Sequence, residues 1–222
     1  MTGGWVPLLV DLAGRRVVCV GGGPVAAGKL PGPREAGAEI VVVAPELDDA
    51  LASAAARGAL TWHARAYAPG DTDGAALVIA ATASPEVNDA VAAEAAERGT
   101  PCVRTDRDPD AAHPGTAAFP ATVRRGPLTI AVGTSGTAPA LARWLRDELD
   151  ALYPEEYGVL AQLLAEVRAD PRVQACLRGV ADAERRARWR TVLEADTLRL
   201  VREGYFEAAK EVAITCLCSS SG

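Results

Sequence analysis

The chain has 222 residues, enough for one sizeable domain with one or two smaller appendages. Hydrophobic residues make up 49%, charged residues 23% and aromatics only 5%, a globular composition in which abundant alanine points to helices packed on an aliphatic sheet and excludes a disordered chain. The formal charge of −6 provides no basic excess for neutralising phosphates, so nucleic acid is not an expected partner.

The N-terminal MTGGWVPLLVDLAGRR has an apolar stretch too short to span a bilayer and no leading basic segment. Neither a membrane nor a secretory destination is expected, and the chain reads as cytoplasmic. RRVVCVGGG follows as a short buried strand, Val17 to Val20, running into a glycine turn. Gly21-Gly22-Gly23-Pro24-Val25-Ala26 fits G-x-G-x-x-A between a strand and a helix, the context in which this motif binds a dinucleotide. Gly21 permits the tight turn, Gly23 lets backbone approach the pyrophosphate, and Ala26 allows close helix packing. The amides and dipole of the following helix face the anion, with Pro24 lacking one amide, so Val25 and Ala26 carry that contact. A turn closed by glycines without a ligand is the alternative.

The crossover helix is expected to start near Pro24, to break at Leu30 to Pro33, where Pro31 and Pro33 remove amide donors, and to end at Gly37. The second strand, Ile40 to Val43, leads into Ala44-Pro45-Glu46. An acidic side chain there accepts from ribose hydroxyls, and no Arg or Lys stands by to hold a 2′-phosphate, so Glu46 favours NAD over NADP, a surface helix cap being the other reading. TWHAR reads as a strand carrying a structural or exposed His63. A further strand, Ala76 to Ala81, brings Ala81 and Thr82 to the carboxyl end of the sheet, where ligands gather in open α/β folds; a helix, Glu86 to Arg98, and the strand of TPCVRT follow. Strands alternating with helices at this spacing predict right-handed βαβ units and a parallel, Rossmann-type sheet.

Beyond the loop Asp106 to Gly115, a strand, a turn at Arg125-Gly126-Pro127, a strand Leu128 to Val132 and a helix Ala138 to Leu152 form a small α+β unit. The loop Thr134-Ser135-Gly136-Thr137 binds an anion, caps the helix, or does both. Arg124, Arg125, Arg143 and Arg146 flank it, and guanidinium groups pair bidentately with any carboxylate that binds there. From Tyr157 onward only helical periodicity remains. The expected architecture is therefore α/β, with a Rossmann domain over 1–115, a small α+β unit over 116–153, for which the resemblance given below implies dimerisation, and a helical domain over 154–222 ending in a disordered tail. Of the five cysteines, Cys19 and Cys102 lie in apolar runs as small hydrophobes, and the odd count suits a reducing compartment. The terminal CLCSSSG reads as a frayed tail in preference to a soft-metal site at Cys216 and Cys218.

Taken together, PLLVDLAGRRVVCVGGGPVAAGK, AGAEIVVVAPEL, ALVIAATASPEVNDAVAAEAAERG and FPATVRRGPLTIAVGTSGTAPALARWLRDELDALYP resemble the precorrin-2 dehydrogenases, the dehydrogenase half of sirohaem synthase. The resemblance implies an interlocked homodimer that uses NAD to oxidise precorrin-2, a tetrapyrrole with eight carboxylates, to sirohydrochlorin, in a cleft shared between the Rossmann domain and the dimerisation unit. It also implies metal insertion (Fe2+ or Co2+) in some members, with no dedicated metal ligands. The family's key aspartate falls on Asp106 counting from Cys102 and on Asp108 counting back from Pro109; Asp106 is preferred, as a partly buried base with a raised pKa. Arg124 and Thr134 to Thr137 would then bind substrate, and His113 in the loop is a lesser candidate for substrate or metal. The chain departs from the family at Pro31 and Pro33, at Val103-Arg104-Thr105 in place of Asn-Val-Val, and in its longer loop DPDAAHPGTAA. These departures also admit a relative with another NAD-dependent or metal-related reaction, or a non-catalytic NAD-binding sensor. A fused methyltransferase half is not expected, since none follows Gly222.

Overall fold

The computed structural model describes residues 4–106 and 112–219, which form two compact units divided after Phe119. The first unit holds a five-stranded parallel sheet in the order β3-β2-β1-β4-β5, built from β1 (Arg16–Val20), β2 (Glu39–Ala44), β3 (Thr61–Ala64), β4 (Leu77–Ala80) and β5 (Cys102–Arg104). The three central strands are runs of Val, Ile, Ala and Cys because both of their faces are covered. Val17, Cys19, Val42 and Ile79 belong to one buried cluster, and Val18, Val20, Val43 and Val78 to the other, the period-two alternation of a strand. Leu51 and Ala54 of α3 (Asp49–Ala56) join the first cluster, and Val91, Ala92 and Ala95 of α4 (Pro85–Glu97) the second. Alanines on these helices allow the close approach. Strand β3 is the exposed edge, tied inward where Trp62 Nε1 donates to the Ala44 carbonyl at 2.9 Å.

The crossover between β1 and β2 is broken, as the prolines predict, but slightly earlier. It consists of α1 (Pro24–Ala27), an irregular link through Leu30, and α2 (Pro31–Glu35). Pro31 opens the second helix at a position whose amide would be unpaired anyway, so the proline restarts a helix there and does not kink one. Leu30 and Pro33 are buried and keep both fragments on the sheet, and Gly37, at φ +77°, turns the chain into β2.

The second unit begins with an antiparallel hairpin, β6 (Ala121–Arg125) and β7 (Leu128–Val132), closed by Gly126 at φ +52° and Pro127. Then come α5 (Pro139–Leu152), α6 (Glu156–Ala169), α7 (Pro171–Cys176), α8 (Asp182–Glu194), α9 (Thr197–Arg202) and α10 (Phe206–Cys218). Residues 120–153 and the helices after them, expected as separate domains, share this one unit. Gly158 explains why: a Cβ there would lie 2.7 Å from the Arg125 backbone, so α6 rests directly on the hairpin. Residues 116 and 117 remain with the first unit, since the amides of Thr116 and Ala117 both donate to the Cys102 carbonyl.

The frayed tail is corrected as far as Ser219. Helix α10 runs to Cys218, and its Ala213 and Leu217 are fully buried against α6, α8 and α9 residues, the leucine alone contributing about 2 kcal/mol of burial. Cys218 is disulfide-bonded to Cys176 across a sequence separation of 42, while Cys19 and Cys102 are buried free thiols as expected. Burial pushes the Cys19 thiol up to about 12 and that of Cys102 to about 11, so both stay protonated and inert. Among the described residues no helix is long and apolar enough to cross a membrane.

Candidate active site

The glycine turn sits at the carboxyl end of β1, between the ends of β2 and β4. Gly21 has φ +116°, and a Cβ on it would fall 2.2 Å from the Ala81 carbonyl oxygen, so only glycine lets β1 leave the sheet beside β4. Gly22 is equally constrained from the other side: a Cβ would meet the Glu46 carbonyl at 2.1 Å, and the Gly22 carbonyl accepts from the Asp48 amide at 2.7 Å. The residue the motif leaves unspecified is thus held by packing, with Ala44 directly beneath it. Around Gly23, in contrast, nothing lies within 4 Å of the Cβ position. One open glycine following two packed ones leaves a cradle that a phosphate group can enter. The amides of Val25 and Ala26 make no backbone hydrogen bond among the described residues and are free to donate. The helix behind them is a single turn, so its dipole offers an anion much less than the crossover helix expected from the sequence would. Pro45 and Glu46 are exposed at the end of β2.

On the opposite side of the glycine turn, the ends of β4 and β5 carry a continuous polar network. Asn88, in the first turns of α4, is fully buried; its Oδ1 accepts from the Thr82 amide at 3.0 Å, and its Nδ2 donates to the Thr82 carbonyl at 3.2 Å. The Thr82 hydroxyl is shared between Asn88 Oδ1 and the Ser84 carbonyl, so Thr82 shapes the turn after β4 with its whole polar complement. Arg104, the last residue of β5, has a side chain only 4% exposed. Its Nε and Nη2 donate to the two oxygens of Asp106 at 2.9 and 2.7 Å, and its Nη1 donates to Asp89 Oδ1 at 3.0 Å and to the His113 carbonyl at 2.8 Å. One buried guanidinium therefore holds two carboxylates, and the local charge is negative. A buried fork of this kind is the geometry in which Arg pairs most strongly.

The electrostatics differ from the expectation of a raised carboxyl pKa. The Arg104 fork, aided by a hydrogen bond from Asn88, holds Asp106 below the usual carboxylate range and outweighs its partial burial. Asp89 is likewise lowered, first by its hydrogen bonds from His113. Both are ionised. Asp108 lies outside the described residues. Arg104, Asp89 and Asn88 went unassigned in the sequence, although a charged residue ending a buried strand demands a partner and was the available signal.

The remaining candidates lie in the second unit. Arg124 is exposed on β6. Thr134 to Thr137 form a tight turn in which the Thr134 carbonyl accepts from the Thr137 amide at 3.0 Å and from its hydroxyl at 2.6 Å, while Thr134 Oγ1 accepts from the Ala138 amide at 3.3 Å. Ser135 has φ +52°, the single non-glycine residue among those described in the left-handed region. These bonds close the turn on itself and do not cap α5, whose N-cap residue Ala138 leaves the first-turn amides without a side-chain acceptor. Arg125 is committed within the fold, to the carbonyls of Tyr153 and Asp150 and to the Asp150 carboxylate. His63 is half-buried on the edge strand β3.

An open parallel sheet with a glycine cradle after its first strand and a polar cluster at the carboxyl ends of its neighbours defines a nicotinamide-dinucleotide-binding protein of the Rossmann class. Comparison with known proteins agrees: residues 8–121 match the family described as NAD(P)-binding, and residues 125–152, the hairpin with α5, match the sirohaem biosynthesis protein central family. The chain belongs to this family of NAD(P)-binding sirohaem-biosynthesis proteins, the one its residues resemble. A siroheme synthase of Methylobacillus flagellatus is 38% identical over 92% of this chain, and one of Pseudomonas entomophila is 41% identical over 86%. The chain spans only 42% and 39% of those two relatives' lengths. Among solved structures, SirC, a precorrin-2 dehydrogenase, superposes with a TM-score of 0.66 at 26% identity, covering 93% of this chain and 99% of that one.

Proposed function

We propose that the chain is an NAD-dependent dehydrogenase that oxidises precorrin-2 to sirohydrochlorin. The observation that carries this reading is the Arg104-bound carboxylate pair at the ends of β4 and β5. A dinucleotide whose pyrophosphate enters the Gly23 cradle, with its adenosine ribose at Glu46 beyond β2, places its nicotinamide on the β4 and β5 side. Glu46, with no Arg or Lys between Ala44 and Asp49 to receive a 2′-phosphate, supports NAD over NADP. The bound cofactor would supply the hydride acceptor. The chain supplies the rest: Gly21 and Gly22 fix the turn, Val25 and Ala26 donate to phosphate, and Asp106 stands as a permanent anion that favours the positive charge left as hydride departs. Arg124 and the Thr134 to Thr137 turn are proposed contacts for the substrate's carboxylates. A cytoplasmic setting, where NAD and the reduced tetrapyrrole meet, belongs to the same reading.

The test is anaerobic incubation of the purified chain with NAD and enzymatically generated precorrin-2, following NADH and tetrapyrrole absorbance together. NADH formed in step with sirohydrochlorin is expected. Tight NAD binding without oxidation of precorrin-2 overturns the substrate assignment and leaves the cofactor site standing.

A further inference from the structure

Asp89 and His113 form a couple to which the mechanism above gives no role. Asp89 Oδ1 accepts from the His113 backbone amide at 2.9 Å, and Asp89 Oδ2 stands 3.1 Å from His113 Nδ1. Arg104 binds the same residue from β5, through the His113 carbonyl, while also holding Asp89. The imidazole is therefore oriented from two elements although its side chain is 46% exposed. An ionised carboxylate has no proton to give, so the hydrogen on the Asp89 contact belongs to Nδ1, and the lone pair belongs to Nε2. No hydrogen bond among the described residues reaches Nε2. Asp106, in contrast, spends both oxygens on Arg104. Its proton affinity is suppressed by the very contact that fixes it.

We infer that His113 Nε2, oriented by Asp89 and Arg104, is the proton acceptor of this site, with Asp106 serving as fixed charge. The substrate in this inference rests on the dehydrogenase reading. Oxidation removes two hydrogens and two electrons from the reduced macrocycle. One C–H bond breaks with its electron pair, which passes as hydride to the nicotinamide ring of NAD. The second hydrogen leaves as a proton, its bonding pair staying behind as part of the new double bond, and an N–H bond forms at Nε2. The resulting imidazolium is stabilised by Asp89 and returns its proton to water at the exposed ring edge. The charged groups facing it are Asp89 from α4 and Arg104 from β5, with Asp106 beyond the guanidinium.

The tautomer is measurable without turnover. The chain contains two histidines, His63 and His113, so long-range 15N–1H spectra of the NAD-loaded protein are assignable with His63→Gln. The expected result is the Nδ1–H tautomer for His113 in the wild type and its loss in Asp89→Asn. In the precorrin-2 assay, His113→Gln is expected to lower kcat about 100-fold with NAD affinity unchanged, and Asp89→Asn to give a smaller loss. An Nε2–H tautomer in the wild type, or a His113→Gln kcat within about twofold of wild type, overturns the inference. A wild type that binds NAD and oxidises nothing overturns the dehydrogenase reading instead, and the tautomer then decides the couple by itself.

Discussion

Gly21 shows how much a single position can carry. Its φ of +116° lies where side-chain-bearing residues are rarely found, and the space a Cβ would need is occupied by the Ala81 backbone at 2.2 Å. Backbone cannot swing aside as a flexible side chain can, so Gly21→Ala must displace the β1–β4 junction. The expected cost is about 3 kcal/mol or more, a fall in melting temperature of roughly 10 °C or more for a unit of this size, with NAD binding lost in the protein that remains folded. A calorimetric scan decides it, and a melting point within about 2 °C of wild type would sink the steric argument. This glycine was legible in the sequence because its motif has a local physical reason. Gly22 was legible only as a loop residue, since the Glu46 carbonyl that forbids a side chain there arrives from 24 residues downstream. Arg104 was harder still. In the sequence it stood out as a departure from the family's Asn-Val-Val, and only the fold shows that three residues from two other segments converge on its guanidinium.

At the scale of elements, periodicity placed the buried strands and α4 to within a residue or two, because β1, β2 and β4 are apolar on both faces and α4 has a serine N-cap, Ser84 accepting from the Val87 amide, followed by proline. The C-terminal segment resisted the same treatment. CLCSSSG looks like an unanchored tail, yet Leu217 packs into the centre of the helical cluster and the Cys218 sulfur bridges to Cys176. Pairing of cysteines 42 residues apart has no local signature. The bridge closes a long loop, which in the chain-entropy account stabilises the folded unit by about 4 kcal/mol. Cys218→Ser should therefore lower the melting temperature of the second unit under oxidising conditions, and dithiothreitol should bring the wild type down to the variant's value. A wild-type transition that dithiothreitol leaves in place would show that burial of α10 alone holds this end of the chain.

For the whole molecule, the second unit carries an apolar face that its own described residues leave open to solvent. Helix α5 is strongly two-faced, yet Leu141, Trp144 and Leu152 are 48%, 57% and 63% exposed, and Val132, Leu145, Leu149 and Leu152 line an open apolar groove of about 470 Å³ beside β7. A contiguous apolar face of this kind on one helix and a two-stranded sheet marks an association surface, and a hairpin with one helix has little else to bury it against. The proposed occupant is a second copy of the chain, which the resemblance implied and which needs no partner of different chemistry. A homodimer built this way is isologous, so each copy presents the same α5 face to the other, and one substitution removes both halves of the contact. Sedimentation at micromolar concentration is expected to give twice the 23.0 kDa chain mass for the wild type and the single-chain mass for Trp144→Asp. Because Trp144 is solvent-exposed in the single chain, the variant should keep the helical content and NAD affinity of the wild type, separating lost association from lost folding. A wild type that sediments as a single chain would remove the dimer and leave the apolar face to another partner.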